Sequence, residues 1–224
     1  WEASLLPARL RDFQPGSLDQ LLAGGEFLWL RPPDAGTRRQ GPIRSTPIVF
    51  LERQDLDLWQ SLLPEGLPAE ALAANAAAVH AALERQGAVF FMDLQRATGL
   101  PANAVEAGLR ELIAAGLVSG DGFAGLRTLL VPVALRREAG RRPWGRPAPP
   151  PAGRWSLVRV PPAASEASGD ATKRRRTAVE RAALVLLERY GVVFRSVLQR
   201  EARFLPPWRE LAQALRRLEA RGEI

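Results

Sequence analysis

Arginine and glutamine recur at helical spacing near the end of this chain, in "PPWRELAQALRRLEARG". Arg209, Gln213 and Arg216 fall on one face of the expected helix, with Arg217 to one side, and Leu211, Leu215 and Leu218 form the opposite, apolar face. Guanidinium and amide groups spaced this way suit phosphates and base edges in a nucleic-acid groove. Arg38, Arg39 and Arg44 lie near the expected tip of a β-hairpin and are further candidates for phosphate contact. The run Lys173–Arg176 reads first as a solvated charge run and second as a nucleic-acid-binding tail.

Other chemistries are closed off by residue counts. The 224 residues include no cysteine and one histidine, His80. Thiol nucleophiles, disulfides, Cys/His zinc sites and iron–sulfur clusters are therefore excluded, and a histidine general base would have to be His80. His80 sits on an alanine-rich helix without a histidine partner and reads as a surface or interface residue. "GDGFAG", residues 120–125, matches G-x-G-x-x-G, but it follows only the short "LVS" and precedes proline-rich sequence. A dinucleotide fingerprint needs a solid strand before it and a long helix after it. Asp121 is instead expected to cap a short helix containing Phe123, Leu126 and Leu129. No P-loop is present, and Asp55 and Asp57 read as carboxylates of a solvated turn.

The elements that must hold these side chains show an internal repeat. Leu83 and Leu187, Gly87 and Gly191, Leu94 and Leu198, and Arg96 and Arg200 are pairs 104 residues apart. Leu109/Leu215, Leu112/Leu218 and Gly116/Gly222 repeat at 106, and Leu18, Leu21 and Gly25 give a partial third copy of L-x-x-L-x-x-x-G. A full copy reads helix, short extended piece, helix, helix, strand. The first copy continues through "EFLWLRP" and "TPIVFLER" as a β-hairpin. The expectation is a mainly α fold with small β-hairpins, built of tandem winged-helix modules in three copies, the first and last incomplete.

The expected boundaries are a truncated winged-helix module with its hairpin wing at 1–62 and a module with a long loop in its wing at 66–160. A disordered linker at 161–176 and a wingless module at 177–224 follow. The middle copy's third helix carries Glu106 and Glu111 against Arg110, a face that phosphates would repel and that should pack on protein. Trp29, Trp59, Trp155 and Trp208 are expected to fill small cores, and Trp144 to anchor the proline-rich stretch. The formal net charge of +7 and pI near 11.2 favour an anionic partner. The start at Trp1, without methionine, suggests a piece of a longer chain.

"WEASLLPARLRDFQPGSLDQLLAGGEFLWLRP", "GPIRSTPI", "GLVSGDGFAGLRTLLVP", "GRWSLV" and "YGVVFRSVLQRE…PPWRELAQALRRLEARGEI" resemble the C-terminal, DEAD/H-associated region of the large helicase-related (Lhr) family. The resemblance implies a parent that is an ATP-dependent superfamily 2 helicase, translocating on single-stranded DNA in repair. ATP and magnesium would serve an upstream helicase core, and no cofactor is expected in this segment. It further implies DNA as a partner, homo-oligomerisation through winged-helix modules, and a bacterial cytoplasmic, nucleoid-associated location without membrane insertion. Two alternatives stand beside it: part of a DNA glycosylase-like module acting on damaged bases, or a purely protein–protein scaffold.

Overall fold

The computed structural model describes residues 4–32, 48–63, 71–131, 150–158, 168–201 and 203–224. Its first regular element, α1 (Pro15–Ala23), begins with proline in the first turn, where a missing N–H costs nothing. Leu18 and Leu22 are its buried residues. β1 (Phe27–Leu30) then pairs antiparallel with β2 (Val49–Glu52), in a register running from Phe27↔Glu52 to Leu30↔Val49. This is the expected hairpin. The tip carrying Arg38, Arg39 and Arg44 lies outside the described residues, as does Trp144. A short 3-10 turn, Arg53–Asp55, leads into α2 (Leu56–Gln60).

The middle module follows in the expected order. α3 (Ala74–Gln86), β3 (Val89–Phe90), α4 (Phe91–Thr98) and α5 (Ala102–Ala114) precede β4 (Val118–Gly120), α6 (Ala124–Leu130) and β5 (Arg154–Leu157). β5 lies between β3 and β4 and is antiparallel to both. Three helices closed by this sheet form a winged helix, with α6 inserted between its last two strands. α3 and α5 approach closely at Gly108, where a Cβ would stand 2.8 Å from the Asn75 carbonyl oxygen.

The repeat is written into the backbone at its glycines. Gly25, Gly116 and Gly222 end their L-x-x-L-x-x-x-G segments at φ of +80°, +75° and +70°. Only glycine adopts this left-handed conformation without steric cost. After α5, Leu117 N–H returns to the Leu112 carbonyl; at the end of the chain, Glu223 N–H does the same to Leu218. The hydrogen-bonded helix stop is the same in both copies.

The chain divides into two compact units whose limits differ from the expected modules. One comprises Trp1–Arg53 and Gly66–Val158, the other Gln54–Glu65 and Arg159–Ile224. The first hairpin belongs with the middle module because they share a core. Trp29 of β1 is fully buried, meets Trp155 and Phe123 edge-on at 6.4 and 6.2 Å, and its carbonyl accepts the Ser119 hydroxyl of β4.

The second unit contains α7 (Ser168–Tyr190), a 3-10 turn at Val197–Arg200, and α8 (Trp208–Ala220). The linker expected at 161–176 is thus helical from residue 168, because Ala171 and the basic run are good helix formers that extend the amphipathic segment behind them. The segment 54–65 belongs to this unit, and two of its side chains show how. Trp59 packs edge-on against Phe204, with centroids 6.4 Å apart, and Asp55 accepts the Arg181 guanidinium. Asp55 is therefore not the solvated carboxylate expected, since its side chain is only 14% exposed. Val193 and Leu198 are half-buried, whereas their repeat counterparts Val89 and Leu94 are buried beneath the middle module's sheet. The last module is incomplete in this sense.

Candidate nucleic-acid interface

α8 is the third helix of the last module, the position that enters a groove in winged-helix proteins. Pro207 adopts extended backbone at its N-cap, and its carbonyl accepts N–H groups from Glu210 and Leu211. Leu211, Ala214 and Leu218 bury one side, and Leu215 is half-buried rather than fully covered. Arg209, Gln213 and Arg216 are exposed on the other side, as their spacing predicts. Glu210 lies next to this stripe, but its carboxylate is engaged by Arg175 at 3.1 Å.

Arg217 differs from its expected role. Its Nε donates to Glu180 Oε1 at 2.8 Å, and Arg221 Nη2 donates to Oε2 of the same carboxylate at 2.9 Å. The hydrogen bond from Arg221, joined by that from Arg217, holds the Glu180 carboxyl below its ordinary range against the opposing effect of partial burial. Arg217 is thereby a strut between α8 and α7. Helical spacing shows which side of α8 it occupies, but the acid waiting there is 37 residues away.

The middle module's α5 is arranged differently. Glu106 is buried and pairs with Arg110, whose Nε and Nη2 donate to the Leu129 carbonyl of α6 at 3.1 and 2.9 Å. Glu111 accepts the Ala73 N–H at the start of α3, at 2.8 Å. The acidic pair packs on protein, as expected, but the protein is this chain. α5 has its outward charges satisfied and α6 laid against it.

The glycine-rich stretch does not form a nucleotide cradle. At Gly125 a Cβ would stand 2.4 Å from the Ala152 carbonyl oxygen and 2.7 Å from the Trp155 ring, so backbone and indole already fill the space a phosphate would need. Nor does Asp121 cap α6. Its carboxylate accepts the Arg154 N–H and pairs with the Arg154 guanidinium, tying β5 to the loop. The cap comes from Asp19 of α1, which accepts N–H groups of Phe123 and Ala124 at 2.6 and 2.9 Å and pairs with Arg127 at 2.8 Å. Arg127 in turn stacks over Phe123, 5.5 Å from the ring centroid. Changing Asp19 to alanine should cost about 1–2 kcal/mol of first-unit stability through the lost cap. Urea unfolding would measure it, and Asp19→Asn should lose less because the amide oxygen still accepts.

His80 is half-buried on α3, and among the described residues no group of three or more histidines or acids could hold a metal ion. No helix among them is long and apolar enough to cross a membrane.

Two segments match family models described as the winged-helix domain of large helicase-related protein: residues 1–52 and residues 171–224. Among curated proteins, the chain is 28% identical over 225 residues to Lhr helicase/uracil glycosylase of Escherichia coli (strain K12), covering 88% of this chain and 13% of that protein. It is 31% identical over 159 residues to Lhr helicase/ probable uracil glycosylase of Mycolicibacterium smegmatis, covering 70% of this chain and 10% of that protein. The chain therefore spans only a small part of the curated relatives it matches.

Proposed function

From the premise that this chain belongs to the C-terminal, winged-helix-bearing region of the Lhr family, we propose that it is an accessory DNA-binding segment serving a helicase core elsewhere in a longer protein. The observation that carries the reading is the exposed Arg209–Gln213–Arg216 stripe on a third helix whose opposite side is anchored by Leu211, Ala214 and Leu218. ATP and magnesium belong, in this reading, to the core and not to this segment. Action on chromosomal DNA in repair, within the bacterial cytoplasm, follows from the same premise.

The test is charge reversal. Arg209→Glu with Arg216→Glu should weaken duplex binding at least tenfold at low salt, where two attractive contacts become repulsive. Fluorescence anisotropy across a salt series reads the change. Unaltered affinity would remove α8 from the interface and favour a scaffold, in which winged-helix modules join subunits. Light scattering on the same samples separates the two.

A second reading is favoured by the names of both relatives, which include uracil glycosylase. In it the segment helps present a flipped base to a catalytic group. Incubating the full parent protein with uracil-containing DNA, followed by alkaline cleavage, tests that reading. Absence of strand breaks would discard it.

A further inference from the structure

The 104-residue repeat aligns Ala74, the first residue of α3, with Ala178, yet α7 begins at Ser168. Ten residues at the start of α7 therefore have no counterpart in the middle module. Residues 170–177 are all exposed, and burial begins abruptly at Ala178 and Val179, continuing at Ala182, Ala183 and Leu186. This stretch is helical by propensity rather than by burial, so its side chains stand out toward solvent.

This stretch carries Lys173, Arg174, Arg175 and Arg176. Arg175 is used within the fold, donating to Glu210 and to the Ser61 carbonyl. Lys173 and Arg176 stand three residues apart and so share a face, and no ion pair engages either of them among the described residues. Both lie past the first turn of α7, where the helix dipole has largely faded. Asp170 is the only acid in the first turn. Lys173 and Arg176 therefore serve no packing role and keep their charges toward solvent. One turn further along, Glu180 is already saturated by Arg217 and Arg221, so it does not offset the charge of Arg176. Arg217 and Arg221 are balanced by Glu180 and Glu223, so Lys173 and Arg176 supply the net positive charge of this ridge.

We propose that this helical extension is a second phosphate-contact surface, with Lys173 and Arg176 gripping the sugar–phosphate backbone of DNA independently of base sequence. The proposal rests on the reading of α8 as a DNA-facing helix and adds contacts which that reading does not contain. Rigidity is the advantage over a disordered tail, because the helix holds both charges in place before the DNA arrives.

The test uses the whole 224-residue chain. Lys173→Gln with Arg176→Gln removes two cations and should not harm the helix, which circular dichroism would verify. Two lost phosphate contacts should make the plot of log affinity against log salt shallower by about 1.8, equally on unrelated duplex sequences. If the unmodified chain binds no DNA, the α8 reading itself fails. If it binds and the double variant keeps both affinity and salt slope, this proposal is overturned while the α8 reading stands. Loss of binding to polyglutamate with DNA affinity unchanged would also overturn it, assigning the ridge to an acidic protein.

Discussion

Replacing Trp29 by alanine should lower the unfolding temperature of the first unit by roughly 10 °C, the largest effect expected of any single truncation in the chain. The indole is fully buried, donates to the Gly122 carbonyl at 3.3 Å, and stands edge-on to both Trp155 and Phe123. Large-to-small changes at such a site cost about 3–5 kcal/mol, the lost transfer energy adding to the cavity left behind. That is a large share of the ~5–15 kcal/mol that stabilises an ordinary domain. At ~2–4 °C per kcal/mol for a unit of this size, the shift is readily seen by calorimetry. Trp29→Phe, which keeps most of the ring volume and loses the donor, should recover more than half. A fall of under 3 °C for the alanine variant would mean that the hairpin and the middle module do not share a core.

The second large effect comes from adding a single methyl group. Gly125→Ala places a carbon against the Ala152 carbonyl oxygen and the Trp155 ring at distances no real contact sustains. The obstacle is backbone on one side and a buried indole on the other, neither of which can swing aside. The cost should reach the upper part of the ~1–3 kcal/mol usual for overpacking. Thermal unfolding followed by tryptophan fluorescence would report both the loss of stability and the disturbance at Trp155. Gly16→Ala is the control, lying in α1 with nothing within 4 Å of a Cβ, and should be neutral or slightly stabilising. If the two behave alike, the glycine is there for some reason other than close packing.

The helices, the hairpin and the repeat were legible in the chain because they are local. Leucine spacing marks the buried stripe of α5 and α8, although in α1 the repeat leucine Leu21 is exposed and Leu22 is buried instead, and Gly25, Gly116 and Gly222 mark the ends by the same backbone conformation each time. The charged residues were legible only to the level of a helical face. Arg209, Gln213 and Arg216 stay exposed, whereas Arg217 meets an acid on another helix. Asp121 and Asp19 exchange the role expected of one of them. Nearness in sequence favoured Asp121 as the cap of α6, but the donors point to Asp19, 104 residues away. Asp55 is a similar case, its partner Arg181 being 126 residues distant. Periodicity carries no information about which distant side chains will meet, so long-range ion pairs are where a reading from one sequence stops.

The excursion of residues 54–65 into the second unit has a consequence for biosynthesis. As the chain leaves the ribosome, Trp59 and Asp55 emerge long before Phe204 and Arg181, their eventual partners. The first unit, meanwhile, cannot complete its sheet until β5 has been made. The segment around Trp59 therefore cannot make these contacts until the second unit has been synthesised, whereas domains ordinarily fold in the order they are made. Cutting the gene between the two units gives the same difficulty in permanent form. A fragment beginning at residue 66 would leave Phe204 without Trp59 and Arg181 of α7 without Asp55, whatever its far end.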